Sequence, residues 1–85
     1  MQIEITKNCL SDWAKEVKKK MIDMDMDVKD VAAKFKWTSA YFNSLLRGTT
    51  YSQHNVEIVS LYFGVIAPRS PEETKLHKRT YMVEI

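Results

Sequence analysis

Hydrophobic side chains recur at helical spacing in two stretches near the start of the chain. In residues 12–24 they fall on one face, and Ser11 stands where an N-cap is expected. A second such face, in residues 27–35, follows Asp27 and Asp30, whose spacing is that of a capping box with Asp in place of Glu. The pattern predicts two amphipathic helices. Their expected inward residues are Leu10, Trp13, Ala14, Val17, Met21, Val28, Val31, Ala32 and Phe35.

Two further helices are predicted in the middle of the chain. Thr38 is a good N-cap for a helix that runs to Arg47, and Gly48 follows in the position of a C′ glycine. A fourth helix is expected at about residues 54–63 and is stopped by Gly64. Only two residues separate the second predicted helix from Thr38, so the connection between the second and third helices is a tight turn.

Both ends of the chain alternate apolar and polar residues with a period of two. Residues 1–7 and residues 80–85 are therefore strand candidates. Before the second strand, Ser70-Pro71-Glu72-Glu73 combines an N-cap, Pro at N1 and Glu at N3, which predicts a short last helix to about Lys78. We expect four or five helices with a strand at each end.

Length and composition agree with one small helical domain. The chain has 85 residues, of which 45% are hydrophobic, and only two are Gly and two are Pro. This composition favours helices joined by short loops over a turn-rich β-sandwich. We expect a single domain with a helical core at residues 10–65 and a C-terminal extension at residues 66–85.

Charge and cysteine content limit the classes of function. The net charge is only +2, but lysines cluster in the first helix, at Lys34 and Lys36, and near the end of the chain. An acidic block lies between the first two of these clusters. That block is Asp23, Asp25, Asp27 and Asp30. The single cysteine, Cys9, excludes an internal disulfide, and no Cys/His cluster has zinc spacing. No signal peptide or apolar run of about 20 residues is present, so a cytoplasmic protein without a membrane partner is expected.

The second and third predicted helices have the properties of a helix-turn-helix. Two short helices joined by a tight turn can cross nearly at right angles, one against the DNA backbone and the next in the major groove. Ala32 is small enough for the point where the helices touch. The outward face of the third helix then carries small or polar side chains and one arginine: Ser39, Ala40, Asn43, Ser44 and Arg47.

Residues 27–64 resemble the helix-turn-helix of the phage repressor and Cro-like (XRE) family. The matching elements are Val31-Ala32, Trp37-Thr38, Tyr41-Phe42, Leu45, Arg47-Gly48 and Val59-x-x-x-Phe63-Gly64-Val65. With the first helix, the match covers residues 10–65. The resemblance implies a mainly α, lambda-repressor-like bundle of four to five helices with short N- and C-terminal strands. It also implies a sequence-specific transcriptional regulator from a phage or mobile element that binds operator DNA as a homodimer.

The resemblance further implies a role for each residue near the third helix. The first turn of that helix contacts base edges, and Asn43, one turn on, can pair with adenine through its amide. The loop after the helix contacts phosphates. The residues expected at DNA are Thr38, Ser39, Ala40, Asn43, Ser44, Arg47, Thr49, Thr50 and Tyr51, with further phosphate contacts from Lys36, Lys75, Lys78 and Arg79. An ordinary solvated position is the alternative for Asn43, and packing into the domain is expected of Tyr41.

Several positions depart from the family's pattern. Val28 stands where the family often has Gln, and Lys36 stands where it often has Gly in the turn. Lys36 must then either adopt a left-handed conformation, at a cost of about 1 kcal/mol, or lie in a different turn. Met21 and Leu46 replace a common Arg–Glu pair by an apolar contact. Because Ala40 cannot form hydrogen bonds through its side chain, few base contacts remain, and DNA shape is expected to contribute to recognition.

Three questions stay open at the level of sequence. The end strands can pair within one chain, or the C-terminal strand can pair across a two-fold axis between copies. The same fold could serve as a protein-interaction module, such as an inhibitor of a host or defence protein, or as an architectural excisionase-like factor. Catalysis is not expected, because His54 and His77 are isolated and no Gly-rich phosphate loop is present. No metal, cofactor or small-molecule substrate is implied.

Overall fold

Four α-helices and one two-stranded antiparallel sheet make up most of the computed structural model, which describes all 85 residues. The elements in chain order are β1 (Gln2–Cys9), α1 (Asp12–Asp23), α2 (Val28–Lys34), α3 (Ser39–Arg47), α4 (Gln53–Phe63), a 3₁₀ turn (Pro71–Thr74) and β2 (His77–Glu84). The predicted mainly helical class with a strand at each end is confirmed. No helix has the length and apolar character needed to cross a membrane.

Each α-helix begins at a side chain that accepts a hydrogen bond from a backbone amide three residues further on. Ser11, Thr38 and Ser52 act in this way at α1, α3 and α4. At α2, Asp27 and Asp30 form a reciprocal capping box with N···O distances of 2.9 and 3.1 Å. Such caps stabilise a helix by about 1 kcal/mol each, because they satisfy amides that lack an intrahelical partner. Local sequence therefore sets where the helices start.

The core is a single cluster of twelve buried side chains contributed by all four α-helices. One buried polar contact crosses it: the indole Nε1 of Trp13 donates to Ser60 Oγ at 2.8 Å, and that hydroxyl donates to the carbonyl of Val56 at 2.6 Å. Both polar groups are therefore satisfied, as buried groups must be. The cluster comprises Trp13, Ala14, Val17, Met21, Val31, Ala32, Phe42, Leu45, Leu46, Val56, Val59 and Phe63.

The connection between α2 and α3 is tight and contains a left-handed residue. Lys36 has φ 61°, which is the left-handed one of the two alternatives that the sequence left open for this turn. The amide of Trp37 then donates to the carbonyl of Ala32 at 2.8 Å, and Ala32 itself is buried. The ring of Trp37 stacks on Phe35 at 5.0 Å and meets Tyr41 edge-on at 5.3 Å. These contacts hold α3 in a fixed direction relative to α2.

The predicted last helix is wrong in its extent. Only a 3₁₀ turn at Pro71–Thr74 forms, although Ser70 and Glu73 make the expected capping box. Lys75 is already extended, with ψ 150°, and the chain enters β2 at His77 instead of continuing as a helix to Lys78. The reason is tertiary, since the residues after Lys75 pair with β1 and cannot also be helical.

The two strands pair with each other within the chain, which answers the question left open by the sequence. Both are longer than predicted, and their register runs from Gln2 opposite Glu84 to Cys9 opposite His77. Neither strand packs extensively against a helix. The pair, called the ribbon below, extends from the helical body. The whole molecule measures 49 × 28 × 22 Å.

The base of the ribbon is anchored to the C-terminal end of α3. Gly48 closes α3 with φ 76°, and the backbone of Thr74 and Lys75 lies directly against it. A Cβ atom built at Gly48 would be 2.6 Å from the Cα of Lys75 and would also meet the carbonyl oxygen of Thr74. Only glycine fits here, because both the positive φ and the close backbone exclude a side chain.

We expect Gly48→Ala to lower the free energy of unfolding by at least about 3 kcal/mol, the sum of left-handed strain and a backbone clash. Gly64→Ala is the matched control, because Gly64 also caps a helix at φ 70° but has no atom within 4 Å of a built Cβ. Its cost should be about 1 kcal/mol. Urea unfolding followed by circular dichroism measures both. Equal losses would show that the backbone contact with Thr74 contributes nothing.

Candidate nucleic-acid interface

One side of α3 is exposed along its whole length. Ala40, Asn43 and Arg47 are solvent-exposed and spaced three and four residues apart, so they form one continuous strip. The opposite side holds Phe42 and Leu45, which are fully buried. Asn43 and Arg47 take part in none of the side-chain hydrogen bonds or ion pairs within the chain. Their polar groups are free to meet an external partner.

The hydroxyl groups near the strip are partly occupied. Ser44 donates to the carbonyl of Ala40 at 2.9 Å, so its oxygen can only accept from a ligand. Thr38 accepts from the amide of Tyr41 at 3.1 Å as the N-cap, which leaves its hydroxyl hydrogen free. Ser39 is half-buried at the start of the helix. Asn43 and Arg47 therefore have the greatest hydrogen-bonding capacity on the exposed side of α3.

The loop after α3 is fixed by hydrogen bonds to one carbonyl. The amide and the hydroxyl of Thr49 both donate to the carbonyl of Ser44, at 3.1 and 3.3 Å, and the amide of Thr50 donates to it at 3.4 Å. Thr49 and Thr50 are both exposed. The structure therefore brings these two predicted phosphate-contacting residues beside Arg47, and the hydroxyl hydrogen of Thr50 is free.

Tyr51 lies differently from the other predicted loop residues. Its hydroxyl is buried and has no hydrogen-bond partner. Burial raises the pKa of Tyr51, and the nearby carboxylates of Glu57 and Glu73 raise it further. In this conformation the hydroxyl of Tyr51 cannot reach a phosphate. By contrast, Tyr41 packs into the domain as expected, where its hydroxyl accepts a hydrogen bond from Asn55 Nδ2 at 2.6 Å.

The predicted basic residues of the extension divide into two groups. Lys75 lies against Gly48 at the end of α3, but its ammonium group is 3.0 Å from Glu72 Oε1. Lys78 and Arg79 are exposed on opposite faces of the ribbon, because successive strand residues alternate in direction. Lys36 is exposed at the other end of α3. Positive charges thus flank both ends of the helix.

Sequence reasoning missed one basic residue at the base of the ribbon. Lys7 lies directly opposite Arg79, so the two cations share one face. The local sequence around Lys7 carries no signal of this, since the pairing joins residues at the two ends of the chain. Only the register of the strands shows that Lys7 belongs with the basic residues of the extension.

The acidic block lies around the start of α2. Asp27 and Asp30 are occupied by their capping hydrogen bonds, whereas Asp23 and Asp25 are exposed and unpaired. Asp25 has φ 54°, a left-handed conformation that Asp tolerates better than most residues. A negatively charged surface therefore borders the helix that precedes α3.

No other part of the molecule offers a better-defined site. No group of His, Cys, Asp or Glu is arranged to hold a metal ion. The one groove, of about 600 Å³, lies between α1 and residues 64–68 and includes none of the α3 residues. A scan of protein-family models finds no match for the chain, and searches of curated proteins and of solved structures find none either.

We expect Tyr41→Phe and Tyr51→Phe to have opposite effects on stability. Tyr41→Phe removes the hydrogen bond with Asn55 and should lower the free energy of unfolding by about 1 kcal/mol. Tyr51→Phe removes a buried hydroxyl that has no partner, so stability should stay unchanged or rise. Chemical unfolding of the two variants and the unchanged protein makes the comparison. A clear loss for Tyr51→Phe would mean that its hydroxyl has a partner.

The same variant gives a pH prediction. Folding raises the pKa of Tyr51 above its ordinary value of 10.0, so the folded protein holds this proton more tightly than the unfolded chain does. The corresponding stability is fully present below pH 10 and is lost as pH rises through the raised pKa. The unchanged protein should therefore lose stability more steeply above pH 10 than Tyr51→Phe. If the free energies of unfolding of the two proteins fall equally with pH across that range, the result contradicts the assignment.

Proposed function

We propose that the protein is a small sequence-specific DNA-binding regulator that inserts α3 into the major groove. In this proposal α2 and α3 are a lambda-repressor-like helix-turn-helix, and the protein acts in the cytoplasm as a homodimer on phage or mobile-element operators. The observation that carries it is the exposed strip of Ala40, Asn43 and Arg47, whose polar groups have no partner within the chain. Groove recognition requires a helix with one buried face and one exposed polar face.

The chemistry of the strip indicates which base pairs it would prefer. The side-chain amide of Asn43 can donate to N7 and accept from N6 of adenine, and the methyl group of Ala40 can contact the methyl group of thymine. Arg47, at the end of the helix, can reach either guanine or a phosphate. One good bidentate pair discriminates by about 1–3 kcal/mol. With so few polar side chains, we expect a short recognised sequence and a contribution from DNA shape.

Phosphate contacts would come from the two flanks of α3. Lys36 stands on one side, and Arg47, Thr50, Lys78 and Arg79 stand on the other. The net charge of +2 gives little general attraction to DNA, so affinity depends on where these cations are placed. Binding should therefore weaken as salt is added, in proportion to the number of phosphates neutralised.

Selection of bound sequences from a random double-stranded DNA pool at low salt tests the proposal. We expect enrichment of a motif with two-fold symmetry that contains an A·T pair in each half-site. The selected DNA is then titrated with protein over a range of salt concentrations. If no binding is detected even at the lowest salt, the proposal fails.

We expect Asn43→Ala and Arg47→Ala to weaken DNA binding in different ways. Asn43→Ala should relax preference at one base position and leave the salt dependence unchanged, because an amide neutralises no phosphate. If Arg47 contacts a phosphate, Arg47→Ala should reduce the slope of log affinity against log salt by about 0.9 for each phosphate contact that is lost. Fluorescence anisotropy with the selected DNA and a point variant of it measures both effects.

Lys18→Ala is the matched control for loss of a positive charge. Lys18 is exposed on α1, a helix that packs mainly on α4 and the 3₁₀ turn. It should bind the selected DNA like the unchanged protein. If Lys18→Ala weakens binding as much as Arg47→Ala does, binding follows total charge, and α3 has no special role.

One observation favours a second candidate, a protein-interaction module that has kept the fold. The acidic block places Asp23 and Asp25 beside the start of α2, where a helix-turn-helix would approach the DNA backbone. Negative charge there repels phosphates but would attract a basic protein surface. The two candidates therefore predict opposite effects of neutralising these residues.

We expect Asp25→Asn to raise DNA affinity, because it removes a negative charge near the phosphates while Asn still tolerates φ 54°. The gain should shrink as salt is added, since screening weakens repulsion between exposed charges. Anisotropy titrations at low and high salt measure it. Unchanged or weaker DNA binding by Asp25→Asn would favour the protein-interaction module, for which the acidic block is itself a contact surface.

A further inference from the structure

One face of the ribbon is apolar over its outer part. Opposed residues of an antiparallel pair point to the same face, so Ile3 and Val83 form one apolar rung, and Ile5 and Tyr81 form the next. At the tip, Met1 and Ile85 extend the same face, where the amide of Ile85 donates to the carbonyl of Met1 at 2.8 Å. These six residues are called the apolar face below. The next rung on this side toward the base is the basic pair Lys7 and Arg79.

Little of the chain covers the apolar face, although the ammonium group of Lys7, on the next rung, lies 5.9 Å from the centre of the Tyr81 ring. Ile3 is 43% exposed, Tyr81 41% and Ile85 72%, and neither strand packs extensively against a helix. The other face of the ribbon is mostly polar and includes a hydrogen bond between the hydroxyls of Thr6 and Thr80. Alternation of apolar and polar faces is the pattern of a sheet with one face buried. A lone two-stranded pair is also marginally stable in water, so a partner for the apolar face would stabilise the ribbon.

We propose that the apolar face packs against the same face of a second copy of this chain. The two ribbons lie antiparallel, with the rung of Ile3 and Val83 on the two-fold axis. In this arrangement all three apolar rungs of one copy meet all three of the other, so the surface is self-complementary, as a two-fold interface must be. Pairing of ribbon edges would instead produce a wider sheet whose apolar face was still uncovered. Face-to-face packing is therefore the arrangement that removes this surface from water.

Charge selects the antiparallel orientation. If the ribbons packed in the same direction, Lys7 and Arg79 would lie against their own copies, and four like charges would meet. In the antiparallel arrangement these cations lie just beyond the partner's tip, so the two basic pairs are at opposite ends of the interface. The antiparallel arrangement thus keeps the like charges apart, which favours this orientation over the reverse.

The arrangement deepens the proposed function by naming the partner of the ribbon, and it rests on that function only where it concerns DNA half-sites. Cys9 and His77 at the ribbon base lie six rungs from the central rung. At about 3.4 Å per residue, the two bases would be about 40 Å apart across the two-fold axis. Because each base adjoins the end of α3 at Gly48, this separation is comparable to the 34–36 Å or so between half-sites one DNA turn apart.

Sedimentation equilibrium of the full chain in DNA-free solution tests the interface. The unchanged protein should dimerise reversibly in the micromolar range. Tyr81→Lys, which places a charge on the apolar face, should weaken association by at least about 100-fold, because the dimer contains two copies of the change. Met82→Lys is the matched control, since Met82 is the next residue of β2, is 56% exposed and faces the opposite side. It should dimerise like the unchanged protein.

Ile3→Lys provides a second change to the apolar face on the other strand and should act like Tyr81→Lys. Circular dichroism at 222 nm checks that the helices of each variant are intact, as expected for changes so far from the core. A monomeric unchanged protein at several hundred micromolar would overturn the proposal. So would a dimer that Tyr81→Lys and Met82→Lys weaken equally, or one that neither variant affects.

Amide hydrogen exchange distinguishes face packing from edge pairing. The amide of Ile85 donates to Met1, and in an antiparallel pair only every second residue donates to the partner strand. The amides of Lys78, Thr80 and Met82 therefore point outward from the edge of β2. These amides should exchange quickly in the dimer if the faces pack together. Strong protection of all three on dimerisation would establish edge pairing and overturn the proposal. Because no DNA is present, both measurements are independent of whether the protein binds DNA.

Discussion

At the C-terminal end of α3, the backbone of Thr74 and Lys75 lies so close to Gly48 that no side chain fits between them. This contact joins the helical body to the ribbon, which touches the helices little elsewhere. The direction in which the ribbon leaves the body, and the distance of its cations from Arg47, both depend on it. This glycine, together with the packing of the 3₁₀ turn on α1, therefore sets how the candidate DNA surface and the proposed dimer surface are placed relative to each other.

The two surfaces differ in chemistry, and the difference fits separate roles. The exposed side of α3 is small and polar, with few groups that can recognise a base, so one copy of it offers limited specificity. The apolar face of the ribbon has almost no hydrogen-bonding side chains but can gain free energy by leaving water. If the ribbon joins two copies, two sparse surfaces act together, and their combined affinity exceeds that of either alone. The scarcity of base-recognising residues in α3 is then compatible with a specific regulator.

Much of the helical body could be predicted because its signals are local. Ser11, Thr38 and the Asp27–Asp30 pair cap helices within four residues of where they stand, and the apolar spacing identified the buried faces. For the turn at Lys36 the sequence left two alternatives, and the structure shows the left-handed one. For the candidate site, the exposure of Ala40, Asn43 and Arg47 followed from helical periodicity. The inward position of Tyr51 did not, because a loop has no periodicity that shows which way a side chain points.

The sequence by itself determined where the helices begin and end, which of their faces are buried, and that both ends of the chain favour strands. The tertiary structure decided that the strands pair with each other, that the last helix is only a 3₁₀ turn, and that Lys7 stands beside Arg79. Those features depend on contacts between residues about seventy positions apart, for which no local preference exists. Helix signals act within a few residues, whereas strand pairing joins positions as far apart as Gln2 and Glu84, which only the tertiary structure brings together.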